Sequence, residues 1–242
     1  MAFFKKLIKK ILRILGYRLL KIYPLRRPVV FGKKKIEYLK ALNEAKGVLH
    51  LGAHKGVEAE VYNWFSKKVI WFEAVPYIYD LLKENTFVYP SQKCFCVLLG
   101  DEDFKKKDFY ISNNDSASSS LFDFSKNTLS GKYFLERKLE MKKKILLMMN
   151  KLDTIIKNYE INIREYDHWV LDLQGSELLA LKGAEDSIQY CNSMLIEVSK
   201  IDIYEGGVLW NELSEWLKKK DFYPLSVPEK NHSDVIFIRK KQ

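Results

Sequence analysis

The sequence predicts an α/β fold with a mostly parallel sheet of seven strands, the last of them antiparallel. From residue 47 onward, short apolar runs alternate with amphipathic helical patterns, which is typical of right-handed βαβ units. The last two apolar runs follow each other without a helix between them, which favours an antiparallel pair. With 242 residues, 47% of them hydrophobic, the chain can bury one good-sized core.

The strands are predicted from short apolar runs and the helices from apolar residues at helical spacing. Residues 47–52 (GVLHLG) are almost continuously apolar, as in a strand buried on both faces. The remaining strands are predicted at 69–72, 93–99, 168–173, 193–198, 222–227 and 234–239. The helices are predicted at 57–66, 77–85, 152–159, 176–181 and 209–219.

The middle of the chain is less regular. Residues 109–111 are predicted as one arm of a hairpin, and strand character returns at 144–149. Between them, 112–120 form a serine-rich loop, and 121–143 are charged and irregular, as in a helical or mobile insertion. Since loops on a rigid scaffold commonly carry function, we expect residues 112–143 to shape the ligand site.

The N-terminal segment is basic and amphipathic. In residues 1–23, apolar side chains recur at helical spacing and most of the Lys and Arg lie opposite them. No apolar run reaches the roughly 18–20 residues that a membrane-spanning helix needs. We expect a helix on an anionic membrane surface, in a cytoplasmic protein attached to the inner face. The alternative is a helix that packs on the domain. Pro24 and Pro28 mark a linker, so residues 1–35 precede a domain at 36–242.

The net charge of +10 belongs to this segment. Twelve of the 41 Lys and Arg residues lie in residues 1–35, which contain no acid, so 29 remain against all 31 Asp and Glu. The domain is therefore nearly neutral. A nucleic-acid groove would need clustered basic residues within the domain, so we expect no nucleic-acid partner.

The first candidate site is the turn after the first strand. Gly52 and Gly56 lie in a strand-to-helix turn, where glycine allows a tight bend and close approach by a ligand. Glu73 ends the next strand, 21 residues after Gly52, where a carboxylate can accept both hydroxyls of a ribose. The spacing is GxxxG rather than the GxGxxG of dinucleotide sites, which favours a nucleoside ligand without phosphates, such as S-adenosylmethionine. Alternatively, the glycines only close a turn and Glu73 is incidental.

The second candidate site follows the strand at 168–173. Asp172, Gln174 and Glu177 precede or begin a helix, and ligands of open α/β sheets bind beyond the carboxyl ends of the strands. We therefore expect these side chains to line the same crevice as Gly52 and Glu73. The alternative is that Gln174 and Glu177 only cap the helix, because acids are favoured in a first turn, or that Glu177 makes structural hydrogen bonds.

Together these motifs resemble one family. The segments VLHLGAHKG, WFEAVP, SSSLF, LDLQGSELLALKGA, LIEVS and YEGG, spread over residues 47–240, are similar to those of FkbM-type methyltransferases. The resemblance implies a Rossmann-like class I methyltransferase fold and O-methylation of sugars or other metabolites with S-adenosylmethionine. The first motif of the family usually has an acid and an asparagine where this chain has His50 and His54, as in a branch reading HxGAHxGxE.

The resemblance also implies a set of site residues. Glu73 would bind the ribose, Asp172 and Gln174 would lie near the reacting centre, and Ser118, Ser119 and Ser120 would lie over the cofactor or acceptor. The implied cofactor contacts are His50, Gly52, Ala53, His54, Gly56, Glu73, Ala74, Asp101, Ser119, Asp172 and Gln174.

Methyl transfer to a hydroxyl needs alignment and a base that takes the proton. The candidate bases are Asp172, which we favour, with Glu177, Glu197 and His54. His232 and Asp234, at the last strand, are further candidates. A histidine near pKa 6.5 suits this role, although one in a tight turn can equally hydrogen-bond only the backbone.

No metal site is predicted, because His50 and His54 have no third ligand at a recognisable spacing. The expected partners are a saccharide or glycolipid acceptor and the anionic membrane surface, and a homo-oligomer is left open. The alternative of a different class is a non-catalytic, membrane-tethered Rossmann-like binding module, which His50 in place of the acid would favour.

Overall fold

Two sheets organise the chain, whose computed structural model describes residues 33–126, 134 and 136–240. The strands in chain order are β1 (Gly47–Leu51), β2 (Lys68–Glu73), β3 (Gln92–Cys96), β4 (Leu98–Leu99), β5 (Lys105–Ser112), β6 (Met141–Asn150), β7 (His168–Leu171), β8 (Ser193–Ser199), β9 (Phe222–Pro224) and β10 (His232–Arg239). The main sheet has the order β3-β2-β1-β7-β8-β10-β9. Only β10 runs antiparallel to its neighbours in that sheet, so the predicted fold class is confirmed.

Helices cover both faces of the main sheet. They are α1 (Lys33–Glu44), α2 (Ala59–Trp64), α3 (Pro76–Thr86), α4 (Leu152–Asn158), α5 (Glu177–Lys182) and α6 (Trp210–Lys218). Successive residues of β1 point to opposite faces: Leu49 and Leu51 pack with α4, α5 and α6, whereas Val48 packs with α1, α2 and α3. All five residues of β1 are buried, as its apolar sequence predicts.

The strand order reverses at β1. From β1 the chain continues to β2 and β3 on one side, and β7 and β8 lie on the other. Loops that follow strands on opposite sides of such a switch point diverge and leave a crevice at the carboxyl ends. This places the candidate site residues after β1, β2, β7 and β8 at one edge of the sheet.

A second sheet, β4-β6-β5, accounts for the irregular middle of the chain. The strand predicted at 93–99 is wrong as a single element, because Val97 donates its amide to the carbonyl of Glu73 and the chain then passes from β3 into β4 of the second sheet. The hairpin arm predicted at 109–111 is β5, antiparallel to β6. The loop and insertion predicted at 112–143 are shorter, since Ser112 belongs to β5 and β6 begins at Met141.

Residues Glu37–Gln242 form one compact unit. The amphipathic helix predicted at 1–23 and its proline linker lie outside the described residues, as does most of 127–135. The helix α1 has no counterpart among the predicted elements. Within the described ranges, none of the helices has the length and apolar character needed to cross a bilayer.

Candidate active site

The turn after β1 brings the ends of three strands together. Gly52 has a φ of +85°, which favours glycine, and its amide donates to the carbonyl of Phe72 in β2 (3.0 Å). A Cβ at Gly52 would lie 1.9 Å from the carbonyl oxygen of Asp172, just after β7. Gly56 also has a positive φ, of +63°, and a Cβ there would lie 2.5 Å from Leu82 of α3. Gly52 therefore allows the strand ends to meet, whereas Gly56 allows α3 to pack on the turn.

Glu73 ends β2 and is hydrogen-bonded to this turn. Its Oε2 accepts the backbone N–H of His54 and its Oε1 accepts that of Val75, both at 2.8 Å. Burial, which leaves Glu73 8% exposed, raises its pKa to about 7 against the lowering effect of these donors. A carboxylate offers about four lone-pair positions, and the backbone amides of His54, Val75 and Ala74 occupy up to three of them, so at least one remains for another donor. A hydroxyl of the ribose predicted for this site fits that remaining capacity.

His54 connects the turn to the serine-rich loop. Its φ is +46°, and its Nε2 lies 2.8 Å from the carbonyl oxygen of Asp115, so Nε2–H donates. The ammonium group of the next residue, Lys55, forms an ion pair with the Asp115 carboxylate. Burial, and then the charge of Lys55, lowers the pKa of His54. The neutral imidazole thus tethers the loop, in line with the predicted alternative of a hydrogen bond to the backbone.

The serine-rich loop is attached on both sides of the crevice. On the β2 side, the hydroxyl of Ser116 is hydrogen-bonded to that of Tyr77 in α3. On the β7 side, Ser120 Oγ donates to the carbonyl of Gln174 (2.7 Å). Ser119 Oγ accepts from the amide of Ser112 (3.0 Å), so this predicted cofactor residue stabilises the loop itself. The loop consequently joins the two halves of the predicted site.

Gln174 fixes two carboxyl groups after β7 and β8. It has a φ of +53°, and its side-chain nitrogen donates to Asp172 and, at 2.6 Å, to Glu197. The hydroxyl of Tyr204 donates to the amide oxygen of Gln174. Both members of the pair are thereby held on one planar amide at the carboxyl edge of the sheet.

Crowding keeps this carboxyl pair short of full ionisation. Burial raises the pKa of Glu197 to about 8, and the nearby carboxylate of Glu177 adds to the rise. Asp172 is exposed at the crevice, but the surrounding protein partly desolvates its carboxyl group. This desolvation raises the pKa of Asp172, and the charge of Glu197 raises it further. On the outer side of Glu197, the Nε2 of His232 lies 2.9 Å from Oε1, and burial lowers the pKa of His232.

Glu177 holds the backbone of the loop that carries Gln174. It is 2% exposed, and its Oε1 accepts the amides of Leu173 (2.9 Å) and Gly175 (3.2 Å). Burial raises its pKa to about 7. These contacts agree with the predicted structural alternative for Glu177 rather than with a role as the base.

His50 is packed between β1 and α2. It is 5% exposed, its Nδ1 lies 3.0 Å from the hydroxyl of Tyr62, and its ring stacks on Trp71 with centroids 4.8 Å apart. Burial, and then the proximity of His168, lowers the pKa of His50 to about 3. At the position where the resemblance of the motifs implies an acid, the side chain is therefore a neutral imidazole.

The remaining predicted residues lie around this centre. The amide of Ala53 donates to the carbonyl of Phe72 (2.9 Å), and Ala74 packs on the apolar cluster that contains Val75. Asp101 follows Gly100, whose amide donates to the carbonyl of Asn150 at the end of β6. Within the described part of the chain, no hydrogen bond joins Asp101 to another predicted site residue.

Several contacts at this site were not predicted. The site includes Asp115, Ser116 and Tyr77 only through contacts between residues far apart in the sequence. The sequence of a polar loop does not indicate which of its residues will make such contacts. The sequence indicates Lys55 only weakly as a site residue, through its position next to His54 in the glycine turn. Tyr204 belongs to the YEGG segment, which indicated a loop but not a hydrogen bond to Gln174.

Comparison with known proteins identifies the family. The model described as the methyltransferase FkbM domain matches residues 50–224, well over half of the chain. No significant match was found among curated proteins.

Three solved structures illustrate the structural similarity. A TehB-like SAM-dependent methyltransferase from Corynebacterium glutamicum is 10% identical, with a TM-score of 0.43, over 96% of this chain and 94% of that one. Precorrin-6y C5,15-methyltransferase from Geobacter metallireducens is 10% identical, with a TM-score of 0.43, over 88% and 92%. TrmK from M. capricolum, in complex with S-adenosyl-homocysteine, is 8% identical, with a TM-score of 0.42, over 87% and 70%. The family match shows that the chain belongs to the FkbM methyltransferases and uses S-adenosylmethionine as its methyl donor.

Proposed function

We propose that this protein is an O-methyltransferase that methylates a sugar hydroxyl in a glycan, a lipid-linked saccharide or a related metabolite. The observation that carries the proposal is the Gln174 amide, which holds Asp172 and Glu197 together across the Gly52 turn from Glu73. A ribose-binding carboxylate on one side and a pair of candidate bases on the other suit methyl transfer to a hydroxyl.

Glu73 and the glycine turn would hold the cofactor. Glu73 keeps lone-pair capacity for a ribose hydroxyl, and Gly52 lets the backbone after β7 approach the turn that carries this acid. S-adenosylmethionine supplies a methyl group activated on a sulfonium, whose bonding electrons remain on sulfur when the methyl is transferred. The serine-rich loop, tethered through His54 and Ser120, would enclose the site and exclude water.

The carboxyl pair would take the proton of the acceptor hydroxyl. Asp172 is the more exposed member, and Glu197 is bound to the same Gln174 side-chain nitrogen. A positioned base of this kind contributes about 10²- to 10⁴-fold to a rate, and alignment of the reacting atoms contributes several kcal/mol more. The sugar as acceptor rests on the resemblance of the sequence motifs, and the location at a membrane rests on the basic segment 1–23.

The acceptor class can be tested by glycan analysis. Polysaccharide and glycolipid fractions from a deletion strain would be compared with those from strains that express the intact protein or the Asp172→Asn variant. The proposal expects a methyl ether that is present with the intact protein and lost from the other two strains. Unchanged methylation in all fractions of the deletion strain would refute the proposed acceptor class.

The non-catalytic alternative predicts a different binding result. A tethering module would bind S-adenosylmethionine weakly or not at all and would still associate with anionic liposomes. Calorimetry of cofactor binding, at protein concentrations near a hundred micromolar, therefore separates the two functions without knowledge of the acceptor.

A further inference from the structure

Three acids meet at the carboxyl edge, where β7 and β8 end and β10 begins. The antiparallel register places Asp234 of β10 directly opposite Glu197 of β8. Gln174 holds Glu197 and Asp172 on the same side-chain nitrogen. Paired residues of adjacent antiparallel strands point to the same face, so the carboxyl groups of Asp234 and Glu197 are neighbours.

The groups that face this cluster add more negative than positive charge. Glu177 of α5 faces Glu197 from one side, and the neutral hydroxyl of Tyr204 binds the same Gln174 side chain. His232 contacts the outer oxygen of Glu197, and burial lowers its pKa against the raising effect of Asp172, Glu177 and Asp234. The described surroundings of the pair therefore hold several carboxyl groups and no fixed cation in contact with Asp172 or Glu197.

This arrangement is unfavourable for two ionised carboxylates. Like charges on adjacent carboxyl groups disfavour double ionisation, and the buried position of Glu197, whose side chain is 17% exposed, strengthens the effect. The raised pKa values of Asp172 and Glu197 agree with this geometry. In the free protein, the pair accordingly retains a proton near neutral pH, and the carboxyl group that holds this proton cannot accept another from the acceptor.

A ligand with a positive charge at Asp172 would change this balance. Asp172 and Glu73 lie on opposite sides of Gly52, so a ligand whose ribose is held at Glu73 and which crosses the turn brings its far end to Asp172. In S-adenosylmethionine that far part carries the sulfonium. An opposite charge within about 4–6 Å favours ionisation of a carboxyl group, typically by 1–3 pKa units.

We propose that the Asp172–Glu197 pair keeps a proton in the free protein and releases it when the sulfonium of S-adenosylmethionine binds, which converts the pair into the base. This inference rests on the proposed function and adds a means by which the site recognises the charged form of its cofactor. The carboxyl O–H bond breaks, its electron pair stays on the carboxylate, and the proton passes to water. The carboxylate then accepts the proton of the acceptor hydroxyl.

The test compares S-adenosylmethionine with S-adenosylhomocysteine, which has the same adenosyl and amino-acid groups but a neutral sulfur. Calorimetry in buffers of different ionisation enthalpy counts the protons released as each ligand binds to the intact protein. Protons released by Glu73 are common to both ligands and cancel in the difference. Near pH 7.5 we expect about half a proton or more in excess for S-adenosylmethionine. The affinity ratio of the two ligands should shift about 3- to 10-fold toward S-adenosylmethionine between pH 6.5 and 8.5.

Two variants test which groups release the additional protons when S-adenosylmethionine binds. Glu197→Gln should abolish the difference in proton release while both ligands still bind. Glu205→Gln, which alters an exposed acid in the neighbouring loop, should leave the difference unchanged. If Glu197→Gln does not fold, the comparison of the two ligands on the intact protein still decides the proposal.

Equal proton release for the two ligands at every pH, with both bound, would overturn this inference and leave the proposed function intact. Retention of the full excess in Glu197→Gln would overturn the assignment to this pair. Failure of S-adenosylmethionine to bind at all would overturn the proposed function, and this inference with it.

Discussion

The carboxylate of Glu73 accepts the backbone N–H of His54 at 2.8 Å, although the two residues are 19 positions apart and follow different strands. This hydrogen bond fixes the glycine turn and the acid as one unit at the crevice. Because the turn also contacts the backbone after β7 through Gly52, the cofactor side and the carboxyl pair are geometrically coupled.

Cofactor affinity should depend on the protonation of Glu73. Burial raises its pKa to about 7, and only the ionised form offers all its lone pairs to ribose hydroxyls. We expect the affinity for S-adenosylhomocysteine, whose neutral sulfur leaves the carboxyl pair unchanged, to rise from pH 6 to pH 8 and then to level off. Isothermal calorimetry measures it. In Glu73→Gln this rise should disappear, and an unchanged pH profile in that variant would argue against the assignment.

Two glycines with the same backbone conformation should differ in how much unfolding free energy is lost when each is replaced by alanine. Gly52 has a φ of +85° and Gly206 one of +84°, but a Cβ at Gly206 would be 3.8 Å from the ring of Phe122, whereas at Gly52 it would be 1.9 Å from a carbonyl oxygen. Gly206→Ala should cost about 1–2 kcal/mol for the left-handed conformation. Gly52→Ala should cost roughly 1–3 kcal/mol more through overlap and should also weaken cofactor binding. Urea unfolding compares the two, and equal costs would contradict the close packing at Gly52.

Stability without ligand should fall as the pH rises from 6.5 to 8.5. The folded pKa of Glu177 is about 7, above its ordinary value of 4.5, so the folded state binds more protons than the unfolded state, and the stability that this contributes is lost as the pH rises through 7. Glu197, with a folded pKa of about 8, acts in the same direction. The window lies at or above the ordinary pKa of histidine, so the depressed pKa values of His50 and His168 contribute little there.

Glu177→Gln isolates the contribution of one group to the predicted loss of stability between pH 6.5 and 8.5. The variant keeps an oxygen that can accept the amides of Leu173 and Gly175 but has no charge to bury. We expect it to reduce the loss of unfolding free energy between pH 6.5 and 8.5 by roughly 1 kcal/mol. Denaturant unfolding at the two pH values measures this. An identical loss in the variant would show that Glu177 is not the titrating group.

The parts of the site that the sequence predicted are those with a local pattern. The spacing of Gly52 and Glu73 follows from one βα turn and the next strand, so both residues could be placed without long-range information. Asp172 and Gln174 were likewise placed by a strand followed by a helix. The contact of His54 with Asp115 spans 61 positions, and no local periodicity indicates it.

The prediction of a single strand at 93–99 is wrong, and the cause is equally local. Residues 93–99 are mostly apolar and were therefore predicted as one strand, but the amide of Val97 binds the carbonyl of Glu73 and directs Leu98–Leu99 into the second sheet. The ambiguity of Glu177 could be resolved only by coordinates, because a first-turn acid is expected both for a catalytic and for a structural role. The contact of His50 with the cofactor stays a prediction, and in the structure this buried side chain is hydrogen-bonded to Tyr62.

The basic segment yields a prediction about location. We expect the intact protein to sediment with liposomes that contain anionic lipid and to be released by salt, because screening shortens the reach of Lys and Arg. Deletion of residues 1–23 should abolish sedimentation but leave cofactor binding unchanged. Sedimentation that persists after the deletion would exclude this segment as the membrane contact.

The assignment of Glu73 as the ribose-binding residue is tested most directly by calorimetry. The affinity of S-adenosylmethionine is measured for the intact protein and for Glu73→Ala. Hydrogen bonds to a charged group contribute about 1.5–3 kcal/mol each, so loss of the ribose contacts should weaken binding by at least about tenfold. Glu84→Gln, an exposed acid of α3, is the matched control and should bind like the unmodified protein. Binding that is unchanged in Glu73→Ala would contradict the account.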